Sequence, residues 1–531
     1  MAEGKEEKSM LYKLKPITDR LPAVTRPEGH VHFRTKMMWI ILILIIYFAM
    51  TNVVIYGLDA ETRVDLFAQY RAILAGAQFS LMHLGIGPIV TGSIIMQLFT
   101  GAKIIKLNLK NEEDKAIYQG TQKLLVIVMI IVESVPQVYG FMEPSQKFVD
   151  GMGSFIGGNG DSMARMLIVA QLFAGSYLVF LMDEVVSKWG IGSGISLFIA
   201  AGVAQQIFTG TLNWHSADPS TALSVNNPPA GTLPKTIYMF HHMSAPELSS
   251  GGYEQIFLAQ PNPMVALIGT IVIFLFVAYT ESSRIELPLS HGGARGARGR
   301  YPIKLIYASN IPVILMAALL ANVSMFSMLF WSHGSFMNMP LLGNNWMLGY
   351  YAEGSTTPAA GLAYYLSTVN GVSDWLLPML SPEYLASYNS NLSGGVVVKS
   401  TLQIGIHVIV YVSVMIVGSI MFAKFWIETT NMGPEAVASQ IESSGMQIPG
   451  FRRDPRVLKR VLERYIPVVT VISGATVGGL AAGADLIGTV GNATGTGVLL
   501  AVGIMIQLYD AIGREQMMEM HPVMRGFFGG E

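Results

Sequence analysis

The apolar residues of this 531-residue chain fall in blocks of about 17 to 25 positions without Lys, Arg, Asp or Glu, the length at which a helix crosses a roughly 30 Å hydrocarbon core. Composition agrees: 51% of residues are hydrophobic and 13% charged, against roughly 25% charged in an ordinary soluble domain. The expected class is an all-α polytopic membrane protein.

Reading the uncharged runs as spans gives Met37–Leu58, Gly87–Ala102, Lys123–Tyr139, Met166–Met182 and Ile191–Phe208. Met264–Thr280, Leu305–Phe330, Ser400–Ala423, Tyr465–Ala484 and Thr494–Tyr509 follow. Ten crossings put both termini on one side, and the distribution of basic residues tests that parity. Segments 1–36, 103–123, 183–190, 281–304, 424–464 and 511–531 hold 28 of the 34 Lys and Arg residues. They are therefore expected to be cytoplasmic, both termini included. Residues 1–36 are polar and mixed in charge, with no short apolar core before a small-residue cleavage site. The expectation is that no signal peptide is removed and that the first span directs insertion. Two long connections, Thr209–Pro263 and Trp331–Lys399, are rich in Gly, Pro, Ser, Asn and aromatics and read as partly ordered external caps. The sequons at Asn391 and Asn492 fall on that side.

One run does not fit a single helix. Ala72–Ala102 has 31 residues without a formal charge and is interrupted by Gly85, Gly87 and Pro88. Pro removes a donor and Gly permits a sharp change of direction, so two pieces are expected: a short element near Tyr70–Gln78 and a return helix. Irregular backbone at membrane depth is tolerated where it is buried in protein or lines a cavity. Both a pore and a packed proline kink satisfy that condition. A second interruption, Gly190, Gly192 and Gly194, opens the fifth span, and Pro312 lies in the seventh.

Several function classes are excluded by inspection. The absence of Cys removes disulfides, zinc thiolate sites and thiol catalysis. A net charge of −1 argues against nucleic acid as the principal ligand. HExxH, GxSxG, paired intramembrane Asp residues and a Walker A loop are all missing, so neither an enzyme nor a cofactor is expected and transport energy must come from a partner. A secondary transporter would place ionisable ligands at mid-depth; the chief candidates, Glu133 and His407, lie on separate spans.

The broken segment, HLGIGPIVTGSIIMQL (His83–Leu98), and the glycine-rich entry, DEVVSKWGIGSGISLFIAAG (Asp183–Gly202), resemble the SecY family in its archaeal and eukaryotic-type forms. YPIKLIYASNIPVIL (Tyr301–Leu315), AYYLST (Ala363–Thr368), GFRR (Gly450–Arg453), RYIP (Arg464–Pro467) and GTGVLL (Gly495–Leu500) continue the resemblance in the family's order over all ten spans.

The resemblance implies ten transmembrane helices in two pseudo-symmetric five-helix halves, 37–208 and 264–510, closing around an hourglass pore with a lateral opening to lipid. Segment 1–36 would be a cytoplasmic N-terminal segment, 209–263 and 331–399 external loops, and 511–531 a cytoplasmic tail. The family's pore ring falls on Ile86, Val90, Ile195, Ile199, Ile314 and Leu500, all aliphatic here. Its plug falls on Tyr70, Arg71, Ala72, Ile73, Leu74, Ala75, Gly76, Ala77 and Gln78, and its lateral gate on Thr91, Glu133 and Asn322. Arg295, Arg298 and Arg300 in one cytoplasmic loop and Arg452, Arg453 and Arg456 in the other correspond to the loops that dock the ribosome, Arg452 being the first choice. Implied partners are a SecE-type subunit, a small SecG/beta-type subunit, the ribosome with its rRNA, signal sequences, nascent polypeptides and the lipid bilayer.

Overall fold

Ten helices carry the ten apolar blocks, and their ends fall where the sequence favours another conformation. The computed structural model describes residues 10–520 apart from 30, 59–70, 102–103, 106, 108–110, 141, 157–158, 219–220, 292–297, 305–309, 333–344, 353–354, 394, 431, 444–445, 448–454 and 492. The helices are α1 (Phe33–Asn52), α2 (Gly87–Gly101), α3 (Glu112–Gly140), α4 (Gly160–Trp189) and α5 (Gly194–Leu212). The second group is α6 (Met264–Ser282), α7 (Ile311–Ser332), α8 (Thr401–Thr429), α9 (Pro455–Ile487) and α10 (Gly495–Met520). Among the described residues nine of them are long and apolar enough to cross a membrane. The tenth, α2, has 15 residues and rises only about 22 Å.

Several helices overrun their apolar runs, α3, α9 and α10 by about ten residues, and two fall well short of theirs. The first helix stops at Asn52 instead of reaching Leu58, because Val53 turns extended and its neighbours pair with the chain ahead of α2. There Ile55 N–H donates to Phe79 O and Leu81 N–H to Val53 O, both at 2.9 Å. The seventh helix begins at Ile311, with 305–309 outside the described residues. Pro88 and Pro312 are thus the second residues of α2 and α7. In the first turn a missing N–H forfeits no intrahelical bond and the fixed φ is already helical, so both prolines start helices and kink neither.

Helices α1–α5 pack among themselves, as do α6–α10. The two groups meet along two lines, α2 and α3 against α7 and α8 on one side, and α1 and α5 against α10 on the other. Within the second group α8 and α9 approach to backbone contact. A Cβ at Gly474 would lie 2.8 Å from Ile420 Cα and one at Gly478 2.6 Å from Met415 O. Small residues four apart give that approach its van der Waals gain where lipid offers no hydrophobic drive between helices. One apolar cluster runs through both groups.

Outside the helices, β1 (Arg284–His291) and β2 (Arg298–Lys304) form an antiparallel hairpin, and β3 (Met446–Gln447) adds to the other edge of β1. The long connections are ordered in part, as expected: they hold the helices Thr232–His242, Val372–Leu380 and Pro382–Ser393. The second of these begins near Asn370, whose N–H donates to Asp374 Oδ2 at 3.1 Å. Burial pushes the Asp374 carboxyl up to about 6. A carboxyl whose folded pKa is raised adds stability that is complete below its ordinary value and is lost as pH rises through the folded one. Amide exchange over 370–380, corrected for intrinsic rates, should therefore be slower at about pH 4 than at about pH 7. Asp374→Asn should remove that dependence.

Candidate functional site

The six candidate ring residues all lie within the first two turns of a helix or immediately before it: Ile86 and Val90 at α2, Ile195 and Ile199 on α5, Ile314 on α7 and Leu500 on α10. Five are buried, and Ile195 is half-buried against the same apolar cluster. Two of these helix starts are fixed by one device. Ile195 N–H donates to Asp183 Oδ1 at 2.9 Å, so the carboxylate near the end of α4 binds an N-terminal amide of α5. Thr496 N–H donates to Asp485 Oδ1 at 2.8 Å, the same relation between α9 and α10. Orphan N–H groups and the positive end of the dipole favour a carboxylate at both places. Alternate crossing puts the two hairpins at opposite faces, so α5 and α10 deliver their aliphatic residues from opposite sides.

The plug candidate is helical only over Arg71–Leu74. Tyr70 lies outside the described residues. Ile73, Leu74 and Ala75 are buried, Gly76 and Ala77 half-buried, and Gln78 exposed. The turn rests on α5, α7 and α10, three of the helices that bear ring candidates. Its carbonyls are tied down as well: Ile86 N–H donates to Leu74 O at 2.8 Å and Tyr47 Oη to Ala75 O at 3.1 Å. Gly85, at φ +54°, makes the seat possible. A Cβ there would collide with Leu74 O and lie 2.9 Å from Gly76 N.

Thr91, Glu133 and Asn322 come together across the line where the two helix groups meet. Asn322 Nδ2 donates to Thr91 Oγ1 at 2.9 Å, and Thr91 Oγ1 donates to Glu133 Oε1 at 2.8 Å. The chain thus runs from α7 through α2 to α3. Sequence reading missed its companion. His83 Nε2 is 3.0 Å from Gln137 Oε1, and Gln137 Nε2 is 3.7 Å from Met325 Sδ. Gln137 is four residues beyond Glu133 and Met325 three beyond Asn322, the spacing that keeps side chains on one helix face. That spacing was the available signal.

The SecY family profile matches residues 80–509, and that of the plug domain of Sec61p matches residues 45–78. The chain belongs to the SecY family. The protein translocase subunit SecY of Haloferax volcanii is 46% identical over 97% of this chain and 98% of its own length. A solved structure of a protein-conducting channel is 36% identical, with a TM-score of 0.74, over 96% of this chain and 98% of that one. Sec61 in the canine ribosome–channel complex from the endoplasmic reticulum is 36% identical, with a TM-score of 0.71, over 96% and 98%. The ten-helix, two-half SecY architecture expected from the sequence is the one observed.

Other SecY-based expectations meet the structure unevenly. Arg298 and Arg300 sit in β2, in register with Ser290 and Pro288. Arg295, Arg452 and Arg453 lie outside the described residues. The pairing Ser290↔Gln447 nevertheless joins the two basic loops in one sheet. Glu133 and His407 do not meet; His407 Nε2, in the second turn of α8, is 3.0 Å from Ser367 O, while Glu133 is engaged at the seam. No group of His, Asp and Glu among the described residues could hold a metal ion. The N-terminal segment, polar and mixed in charge, is strapped to α4: Val24 N–H donates to Glu184 Oε2 at 2.9 Å and Lys188 Nζ to Val24 O at 2.6 Å. Lys123 pairs with Glu184 from α3. A cavity of about 630 Å³ beside this strap is lined by Ile89, Lys123, Asp183, Glu184 and Ile195.

Because the plug turn is seated on the backbone of Gly85, Gly85→Ala should lift it away. Exchange protection of the Ile86 amide should fall roughly tenfold or more, the equivalent of one lost hydrogen bond, while amides in the middle of α8 keep theirs.

Proposed function

We propose that this chain is the channel-forming subunit of a Sec translocon, conducting unfolded secretory polypeptides across the membrane and releasing transmembrane segments sideways into lipid. The observation that carries the reading is the seating of the plug turn, whose Leu74 carbonyl is hydrogen-bonded by the amide of ring residue Ile86. A polypeptide entering the ring must displace the turn, and among the described residues the bonds from Ile86 N–H to Leu74 O, from Tyr47 Oη to Ala75 O and from Ala77 N–H to Met82 O oppose it together with apolar contacts. Branched aliphatic side chains at Ile86, Val90, Ile195, Ile199, Ile314 and Leu500 suit a gasket: they close around any side chain, and a narrow apolar constriction dewets and resists ions. The lateral exit is the seam closed by Asn322, Thr91 and Glu133. Interhelical hydrogen bonds of this kind are worth about 1 kcal/mol each in a bilayer, so an apolar signal helix can displace them.

In this reading the halves are 37–208 and 264–510, with the basic loops and both termini facing the cytoplasm. Segments 209–263 and 331–399 are external. The loops holding Arg295, Arg298, Arg300, Arg452 and Arg453 meet the ribosome, where Arg suits rRNA phosphate. Their shared sheet supports one docking body. A SecE-type subunit braces the halves and a small SecG/beta-type subunit completes the complex. Separate engagement of Glu133 and His407 disfavours a coupled transporter.

A ribosome stalled on a signal-bearing nascent chain with a photo-crosslinker should give adducts at Ile86, Ile195, Ile314 or Leu500. A functional complex without ring adducts, with its crosslinking control positive, would sink the channel reading. Ile314→Asn should loosen the closed ring, admitting preproteins with weakened signals severalfold more often and raising the resting ion leak of proteoliposomes. Arg452→Glu should weaken ribosome binding, measured by co-sedimentation at physiological salt, and leave that ion leak unchanged.

A further inference from the structure

A second polar pair lies beside the ring, within the second half of the molecule. Glu281 is on the last turn of α6 and Asn310 immediately precedes α7; both are buried. Asn310 Nδ2 donates to Glu281 Oε1 at 2.9 Å. Asn310 also caps α7, its carbonyl accepting from Val313 N–H at 3.2 Å and Ile314 N–H at 3.3 Å. Its Oδ1 accepts no hydrogen bond among the described residues, so the side chain is anchored through Nδ2 alone. The pair lies directly on α10. A Cβ at Gly503 would collide with Asn310 Nδ2 and stand 2.5 Å from Glu281 Oε1. No side chain can occupy that position while the pair is made.

The placement relative to the ring is close. Asn310 precedes Ile314 by four residues and Gly503 follows Leu500 by three, so the pair sits about one helical turn, roughly 5 Å, from the ring on the β1–β2 face. We propose that Glu281 and Asn310 are positioning residues for the pore ring: their hydrogen bond, pressed on Gly503, locks the ring-bearing starts of α7 and α10 at a fixed separation and sets how tightly the closed ring seals. It joins α6, α7 and α10 inside one half. The Asn322–Thr91–Glu133 chain, by contrast, crosses between halves. The division of labour follows from connectivity: the pair ties α7 and α10 within one half, so they move as one piece, and opening takes place at the seam between the halves.

The inference rests on the channel reading, and the test separates the two. The complex is reconstituted in proteoliposomes and offered one preprotein with an intact signal and one with a crippled signal. Wild-type protein that transports neither would refute the channel reading itself. If it transports the first and rejects the second, the pair is on trial alone. Asn310→Leu and Glu281→Leu should then raise transport of the crippled substrate roughly tenfold and increase resting ion conductance. Glu281→Gln, which keeps the acceptor oxygen, should stay at wild-type stringency, a rescue that lost packing would not give. Should the leucine variants fail to assemble, Gly503→Ala decides, since it keeps every polar group and only forces the pair off α10; it should relax stringency in the same direction. Wild-type stringency in Gly503→Ala or Asn310→Leu complexes that still transport the intact substrate would overturn the proposal, as would Glu281→Gln behaving like Glu281→Leu.

Discussion

A backbone N–H or C=O in hydrocarbon has no water to bond to, and leaving it unpaired costs several kcal/mol. The described departure from helix between α1 and α2 is arranged around that cost. After α1, Val53 and Ile55 pair with Leu81 and Phe79, and Arg71–Leu74 make the plug turn before α2 begins. The Leu74 carbonyl is bonded by Ile86 N–H, the Ala75 carbonyl by Tyr47, and Ala77 N–H by Met82 O. A plug that moves must therefore leave satisfied groups behind or carry its bonds with it. The wet interior of a channel makes that feasible, because water replaces the lost partner.

The same constraint explains why the ring and the seam have opposite chemistry. The candidate ring residues carry only alkyl side chains, which pack without side-chain hydrogen bonds and separate without orphaning any. At the seam, side-chain bonds fix the register of α2 and α3 against α7, and each can be exchanged for another partner. Carboxylates set the helix starts that hold all this in place: Asp183 at α5 and Asp485 at α10 bind amides that would otherwise be unpaired. Both lie on the helix before the one they fix, so each tight hairpin and its cap are one unit.

Much of this was legible in the chain itself. Run lengths fixed the helices, and the basic residues gave their parity. The Gly85–Pro88 break predicted a two-piece segment, and both pieces are present. Pro312, read as an interruption inside Leu305–Phe330, is instead the second residue of α7, because a helix interior and a helix start look alike in composition. The strap from Val24 to Glu184 was invisible, since it depends on a backbone amide 160 residues away in sequence. Gly503 was likewise silent, an unremarkable glycine in an apolar run whose role appears only when Asn310 and Glu281 arrive beside it.

The sequence by itself determined that the chain spans a membrane in ten helices, that it carries no thiol, and that its polar residues within the spans are few. These follow from local composition and from the length that hydrocarbon imposes. Which polar residues meet was decided only in the tertiary structure. Thr91, Glu133 and Asn322 lie 231 positions apart at their extremes, and nothing local says that their helices share a seam. Hydrogen bonds reach about 3 Å, so their partners are fixed by helix packing to within a fraction of a turn, a quantity no single span encodes.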